Sequence, residues 1–192
     1  MIDQLYYSND INGEYIILDR TESRHFSKVM RNLPESEICI TDGLVTIYRC
    51  KYYSNQSDNL VFKVISHTND YNKRDYYLHI AITPTKNIKR MDWFIEKAVE
   101  IGIDEISFIL GERSERKDIR LDRLHKISIS AIKQSKQAFL PTINKIKKFN
   151  LFISDTIEAT KLIADTSQDI YTSININNNQ RICVLIGPEG GF

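Results

Sequence analysis

Apolar and polar positions alternate with a period of two through much of the first seventy residues, in short β-branched and aromatic runs. Tyr15 and Ile17 mark one run. Glu37–Thr41 (EICIT) and Leu44–Tyr53 flank Asp42-Gly43. Both turn residues tolerate positive φ, so this pattern predicts a hairpin. Leu60–Ile65 (LVFKVI) predicts another strand. One helix interrupts the strands. Thr21 reads as its N-cap, and Phe26, Val29 and Met30 share a face ahead of Asn32 and Pro34. The expectation for residues 1–70 is a small β-barrel-like domain with one helix.

Ser66–Asp75 (SHTNDYNKRD) is polar and aperiodic, and reads as a linker. After it the rhythm becomes strand–helix. Tyr77–Thr83 (YLHIAIT) is a buried-type strand. Asn87–Ile101 predicts a helix with Ile88, Met91, Ile95 and Ala98 inward and Gly102 as its stop. Ile103–Leu110 returns as a strand. A second long helix is expected from about Ile119 to Phe139, before Pro141. Thr142–Lys148, Lys161–Asp165 and Arg181–Ile186 (RICVLI) read as further strands. Such alternation over residues 74–192 implies a mostly parallel α/β sheet.

Composition changes this picture little until it is resolved along the chain. The 192 residues are 42% hydrophobic and 27% charged, with a formal net charge of +1. Residues 1–72 carry −3, 73–111 are neutral, 112–148 carry +7, and 149–192 carry −3. The cationic stretch suits a polyanion, and a solvated helix face suits the same composition. No apolar run has the length of a membrane span, and MIDQLYYSND is no signal peptide. Cys39, Cys50 and Cys183 form no CxxC pair, and His25, His67, His79 and His125 share no ligand spacing. No membrane association and no bound metal are expected, and the compartment expected is the reducing cytoplasm.

The most distinctive pattern is the apolar strand that opens onto Gly187-Pro188-Glu189-Gly190-Gly191. In parallel α/β sheets ligands bind beyond the carboxyl ends of strands, and glycines let backbone groups approach them. The loop is neither GxGxxG nor a Walker loop, so no pyrophosphate cradle is implied. A plain tight turn fits the pattern as well.

Together with that loop, several segments resemble the ribosomal RNA small-subunit methyltransferase E family. They are Arg24-His25 with Lys28-Val29-Met30-Arg31, Asp42-Gly43, Lys86 with Met91, and Glu96-Lys97-Ala98 followed by Glu100–Ile103. Arg113-Ser114, Gln134-Ser135 and Pro141 complete the set. The resemblance implies a PUA-like RNA-binding β-barrel over residues 1–70. It implies a SPOUT-class, trefoil-knotted α/β domain over 74–192, and homodimers formed through that domain. The implied reaction is methylation of N3 of a uridine in small-subunit (16S) ribosomal RNA, with S-adenosylmethionine as donor. An RNA-binding module without catalysis and a SPOUT enzyme acting on transfer RNA are the competing readings.

The resemblance also assigns residues. Ile186, Gly187, Pro188, Glu189, Gly190 and Gly191 would meet the cofactor. Arg113 and Glu189 are the candidates for catalysis: a guanidinium to polarise the uracil or hold a phosphate, and the loop's one carboxylate to orient a group or take a proton. Arg24, Lys28, Arg31, Lys86, Arg113, Ser114, Gln134 and Lys136 would contact RNA. Family members usually carry arginine where this chain has Gln137, and Lys136 supplies a charge one residue away. They also continue past the glycine loop to complete the knot, whereas this sequence stops at Phe192. The expectation for the chain as given is therefore an incomplete cofactor site and no activity.

Overall fold

A computed structural model of the chain describes residues 2–29, 37–157, 160–164 and 180–188. They pack as two compact units, residues 1–73 with 129–140, and residues 74–128 with 141–192.

The first unit is built on a six-stranded sheet. Its strands are β1 (Leu5–Tyr7), β2 (Asp10–Asn12), β3 (Tyr15–Leu18), β4 (Glu37–Thr41), β5 (Ile47–Gln56) and β6 (Asn59–Thr68), paired in the order β1-β4-β5-β6-β3-β2. Only β1–β4 is parallel. Period-two alternation sends Ile16 and Leu18 of β3, and Ile38 and Ile40 of β4, into one core with Tyr6, Cys50 and Phe62. Helix α1 (Arg20–Val29) adds Phe26, whose ring stands edge-on to Phe62 at 5.1 Å. Its N-cap is Asp19 and not Thr21: Asp19 Oδ1 accepts from the Glu22 amide at 2.8 Å.

Two expectations change here. The link between β4 and β5 is residues 42–46, longer than a two-residue hairpin. Asp42 Oδ1 accepts from the Leu44 amide at 2.7 Å, and Gly43 takes φ +78°. A Cβ at Gly43 would lie 2.9 Å from Leu140 Cβ, so no side chain fits. The expected linker begins as strand. Ser66, His67 and Thr68 of β6 pair with Arg49, Tyr48 and Ile47, and backbone pairing does not require apolar side chains on an exposed strand end.

The second unit holds a parallel sheet. Its strands are β7 (Tyr77–Ile82), β8 (Glu105–Leu110), β9 (Thr142–Ile143), β10 (Lys147–Lys148), β11 (Thr160–Ala164) and β12 (Arg181–Ile186). The order is β10-β8-β7-β12-β11, with β9 also on β8. Every pairing is parallel. β12 therefore lies inside the sheet, and its apolar run Ile182, Cys183 and Leu185 is buried.

Helix α2 (Ile88–Ile101) begins at Asn87, whose Oδ1 accepts from the Lys89 amide, and stops at Gly102 with φ +83°. Helix α3 (Leu121–Ser135) is shorter than its apolar pattern predicts. Lys136 turns left-handed at φ +56° and the Gln137 amide returns to the Ile132 carbonyl at 3.0 Å, a Schellman closure. A short helix unforeseen in the sequence, α4 (Phe149–Asp155), packs Phe149, Phe152 and Ile153 against Ala81, Ile109, Cys183 and Leu185. No described helix is long and apolar enough to cross a membrane.

Candidate active site

β7 and β12 are parallel neighbours in register. In parallel α/β sheets ligands bind beyond the carboxyl ends of the strands. Here a cavity of about 620 Å³ lies at that end. Thr83, Pro84 and Thr85 line it from the end of β7, and Gly187 and Pro188 from the end of β12. Lys86, Asn87 and Arg90 come from the start of α2, and Arg113 and Glu115 from the loop after β8.

Local chemistry explains this wall. The Thr83 amide donates to the Ile186 carbonyl at 2.9 Å, so the sheet holds both strand ends one residue past β7. That bond occupies the Ile186 carbonyl, leaving Gly187 and Pro188 as the described loop residues that border the cavity. Pro84 then stops the pairing. Thr85 Oγ1 donates to the Asn87 carbonyl at 3.0 Å, and Asn87 caps α2.

Thr83 itself stands out. It is 2% exposed, and its Oγ1 is buried without a hydrogen-bond partner among the described residues. A hydroxyl so placed costs about 1–3 kcal/mol of desolvation until something bonds to it. Among the described residues three cations line the cavity against one carboxylate, Glu115, which pairs with Lys86 at 3.4 Å. The site is thus cationic at its rim and holds a buried hydroxyl in its wall.

The structure brings Lys86, Arg113, Gly187 and Pro188 of the expected residues to this one cavity. Ser114 is adjacent but turned into its own loop: its Oγ accepts from the Gly111 amide at 2.8 Å and it is 8% exposed. Arg24, Lys28, Gln134 and Lys136 are exposed residues of the first unit. Arg31, Glu189, Gly190 and Gly191 lie outside the described residues. Thr83, Arg90 and Glu115 were missed. The signal for Thr83 was present, since it continues the parity of Tyr77, His79 and Ala81 as a polar residue just before proline. Trp93 is 63% exposed. Among the described residues no group of three or more His, Cys, Asp or Glu could hold a metal ion.

Comparison with known proteins bears on this arrangement. Residues 72–192 match the family described as an RNA methyltransferase domain. The ribosomal RNA small subunit methyltransferase E of Mesomycoplasma hyopneumoniae (strain 232) is 28% identical over 194 residues, spanning 97% of this chain and 82% of that protein. This chain belongs to the ribosomal RNA small subunit methyltransferase E family. Another family member, from Aquifex aeolicus (strain VF5), is 26% identical over 195 residues, spanning 98% of this chain and 82% of its own. Among solved structures, a probable rRNA-methyltransferase from Porphyromonas gingivalis superposes with a TM-score of 0.85. It is 33% identical, across 98% of this chain and 81% of that one. The family's enzyme from Neisseria gonorrhoeae, solved bound to S-adenosyl methionine, shares the fold with a TM-score of 0.83. It is 21% identical, across 98% and 81% of the two chains.

Proposed function

We propose that this protein methylates N3 of a uridine in small-subunit ribosomal RNA, with S-adenosylmethionine as the donor. The observation that carries the reading is the cavity at the carboxyl ends of β7 and β12, with the unpartnered Thr83 hydroxyl in its wall, in a member of this family. The residues present fit the donor. A cavity of about 620 Å³ falls in the range that takes a ligand of that size. Thr83 Oγ1 offers a buried polar contact, and the backbone of Gly187 and Pro188 borders the space closely. When bound, the donor supplies a methyl group on a positively charged sulfur.

The chain's own groups must then do three things. They must hold the nucleotide, align N3 with the methyl carbon, and take the N3 proton, which is present at neutral pH. Arg113 and Lys86 are placed to hold a phosphate or polarise the uracil carbonyls. Glu189 is proposed as the carboxylate that orients the base or accepts the proton. The exposed cations Arg24 and Lys28, with Gln134 and Lys136, are proposed as RNA contacts of the first unit.

In this reading residues 1–70 form a PUA-like RNA-binding barrel and residues 74–192 a SPOUT-type knotted catalytic domain working as a homodimer. The mixed sheet of the first unit and the all-parallel sheet of the second support that division. The test is to incubate the full-length protein and S-adenosylmethionine with small ribosomal subunits lacking the modification, and to map methyl incorporation. Methyl transfer to N3 of one uridine is expected. Transfer to tRNA, or RNA binding with no transfer, would overturn the proposal.

A further inference from the structure

The opposite rim of the same parallel sheet holds a second polar cavity, of about 490 Å³. Its floor is His79 of β7, which lies four residues before Thr83. At about 3.3 Å per residue, that places it roughly 13 Å from the first site. His79 and Ser107 are each 4% exposed, and His79 Nε2 lies 2.8 Å from Ser107 Oγ. Asn144 Nδ2 donates to Ser107 Oγ at 2.8 Å and to Glu105 Oε1 at 2.5 Å. The Tyr77 hydroxyl donates to the other Glu105 oxygen at 2.5 Å. The Phe152 ring stands edge-on to His79 at 5.6 Å and closes one side.

This network has an outward consequence. A carboxylate can only accept, so the Glu105 contact fixes which end of the Asn144 amide faces inward. Both contacts are then made by nitrogen, and Asn144 Oδ1 is left as an acceptor with no partner among the described residues. Three cations line the same cavity. Arg181 is held flat over the Tyr77 ring at 3.6 Å, which pre-orders its guanidinium. Lys147 pairs with Asp155 at 3.3 Å, and Lys145 has no ion pair among the described residues. Lys147 and Asp155 offset each other, and Lys145 and Arg181 against Glu105 leave the lining with one net positive charge.

We propose that this rim is a second ligand site, taking a nucleoside monophosphate: phosphate against Lys145, Lys147 and Arg181, and a base N–H on Asn144 Oδ1. A phosphate alone would leave most of the cavity unfilled and the Asn144 acceptor unused. The site is separate from the proposed methyl-transfer cavity and does not depend on it.

The test is a titration with AMP, adenosine and orthophosphate, followed by backbone NMR in the presence of saturating S-adenosylmethionine. AMP should bind at least roughly tenfold more tightly than either of its parts. The shifts should centre on Ser107, Asn144, Lys145 and Arg181. The K145A/K147A double variant, altered only at exposed side chains, should weaken AMP by roughly tenfold or more while its melting temperature holds. Four results would each overturn the proposal: no AMP binding, equal binding of orthophosphate and AMP, shifts confined to Thr83 and Gly187, or unchanged affinity in the double variant.

Discussion

Lys133 Nζ lies 2.5 Å from Glu22 Oε1 in the first unit, with 21% and 9% of the two side chains exposed. The other Glu22 oxygen accepts from the Tyr7 amide at 3.4 Å. Removing one partner of such a pair strands the other charge away from water. Lys133→Met should therefore cost about 2–3 kcal/mol, below the fully buried case because Lys133 keeps some solvent. The E22L/K133M double variant should recover most of that loss. Urea denaturation of the three variants beside the parent decides it.

Thr83→Val should separate stability from binding. It removes a buried hydroxyl that has no partner among the described residues and keeps the side chain's shape. The ligand-free protein should gain about 1 kcal/mol, and affinity for S-adenosylmethionine should fall several-fold. Thermal melts and calorimetry read the two effects independently. Loss of stability with unchanged affinity would show that the hydroxyl serves the fold.

Arg113→Ala concerns an exposed side chain lining the proposed active site. Its melting temperature should stay within about a degree of the parent. Methyl transfer should fall by roughly 100-fold, and Arg113→Lys should recover only part, because lysine lacks the planar fork.

Lys136 occupies the left-handed position that closes α3, where glycine is the relaxed residue. Lys136→Gly should stabilise the protein by about 0.5–1 kcal/mol. The same change removes a proposed RNA contact, so filter binding should show weaker RNA affinity in a more stable protein.

Burial pushes the Tyr6 phenol and the Cys50 thiol up to about 12, with Glu22 adding to the first and Cys39 to the second. Both groups hold their protons in the folded chain after the unfolded chain has lost them. Their contribution is complete below about pH 8.5 for the thiol and pH 10 for the phenol, and is lost as pH rises toward 12. Stability should fall over that window, and further for the thiol, whose folded and unfolded values lie further apart. At pH 8 a thiol reagent should label half-buried Cys39 well before Cys50 or Cys183.

Local signals were readable and distant ones were not. Asn87 and Gly102 bound α2 as expected because a cap depends only on residues within one turn. The first helix begins two residues before the expected Thr21 cap because Asp19 reaches the free amide first. Helix α4 escaped notice because seven residues make too short a period to register, and its stability comes from Phe152 meeting β7 and β12. The glycine loop marked one wall of the cavity. Thr83 faces Gly187 and Pro188 only because β12 inserts beside β7, an adjacency between residues about a hundred positions apart that no local pattern encodes.

The run from Ile129 to Leu140 has a bearing on how this protein can be cut. It belongs with residues 1–73: the Ala138 carbonyl accepts from the Val45 amide at 2.8 Å, and the Leu140 amide donates to the Gly43 carbonyl at 2.9 Å. A scission at residue 73 would not release two self-sufficient halves. The amino-terminal fragment would lack the strap that ties down its 42–46 loop, and the carboxyl-terminal fragment would carry that strap with Ala138 stripped to solvent. Two separately produced fragments should therefore be poorly soluble alone and should complement each other when mixed, so that a split-reporter version of this protein has its natural breakpoint already defined.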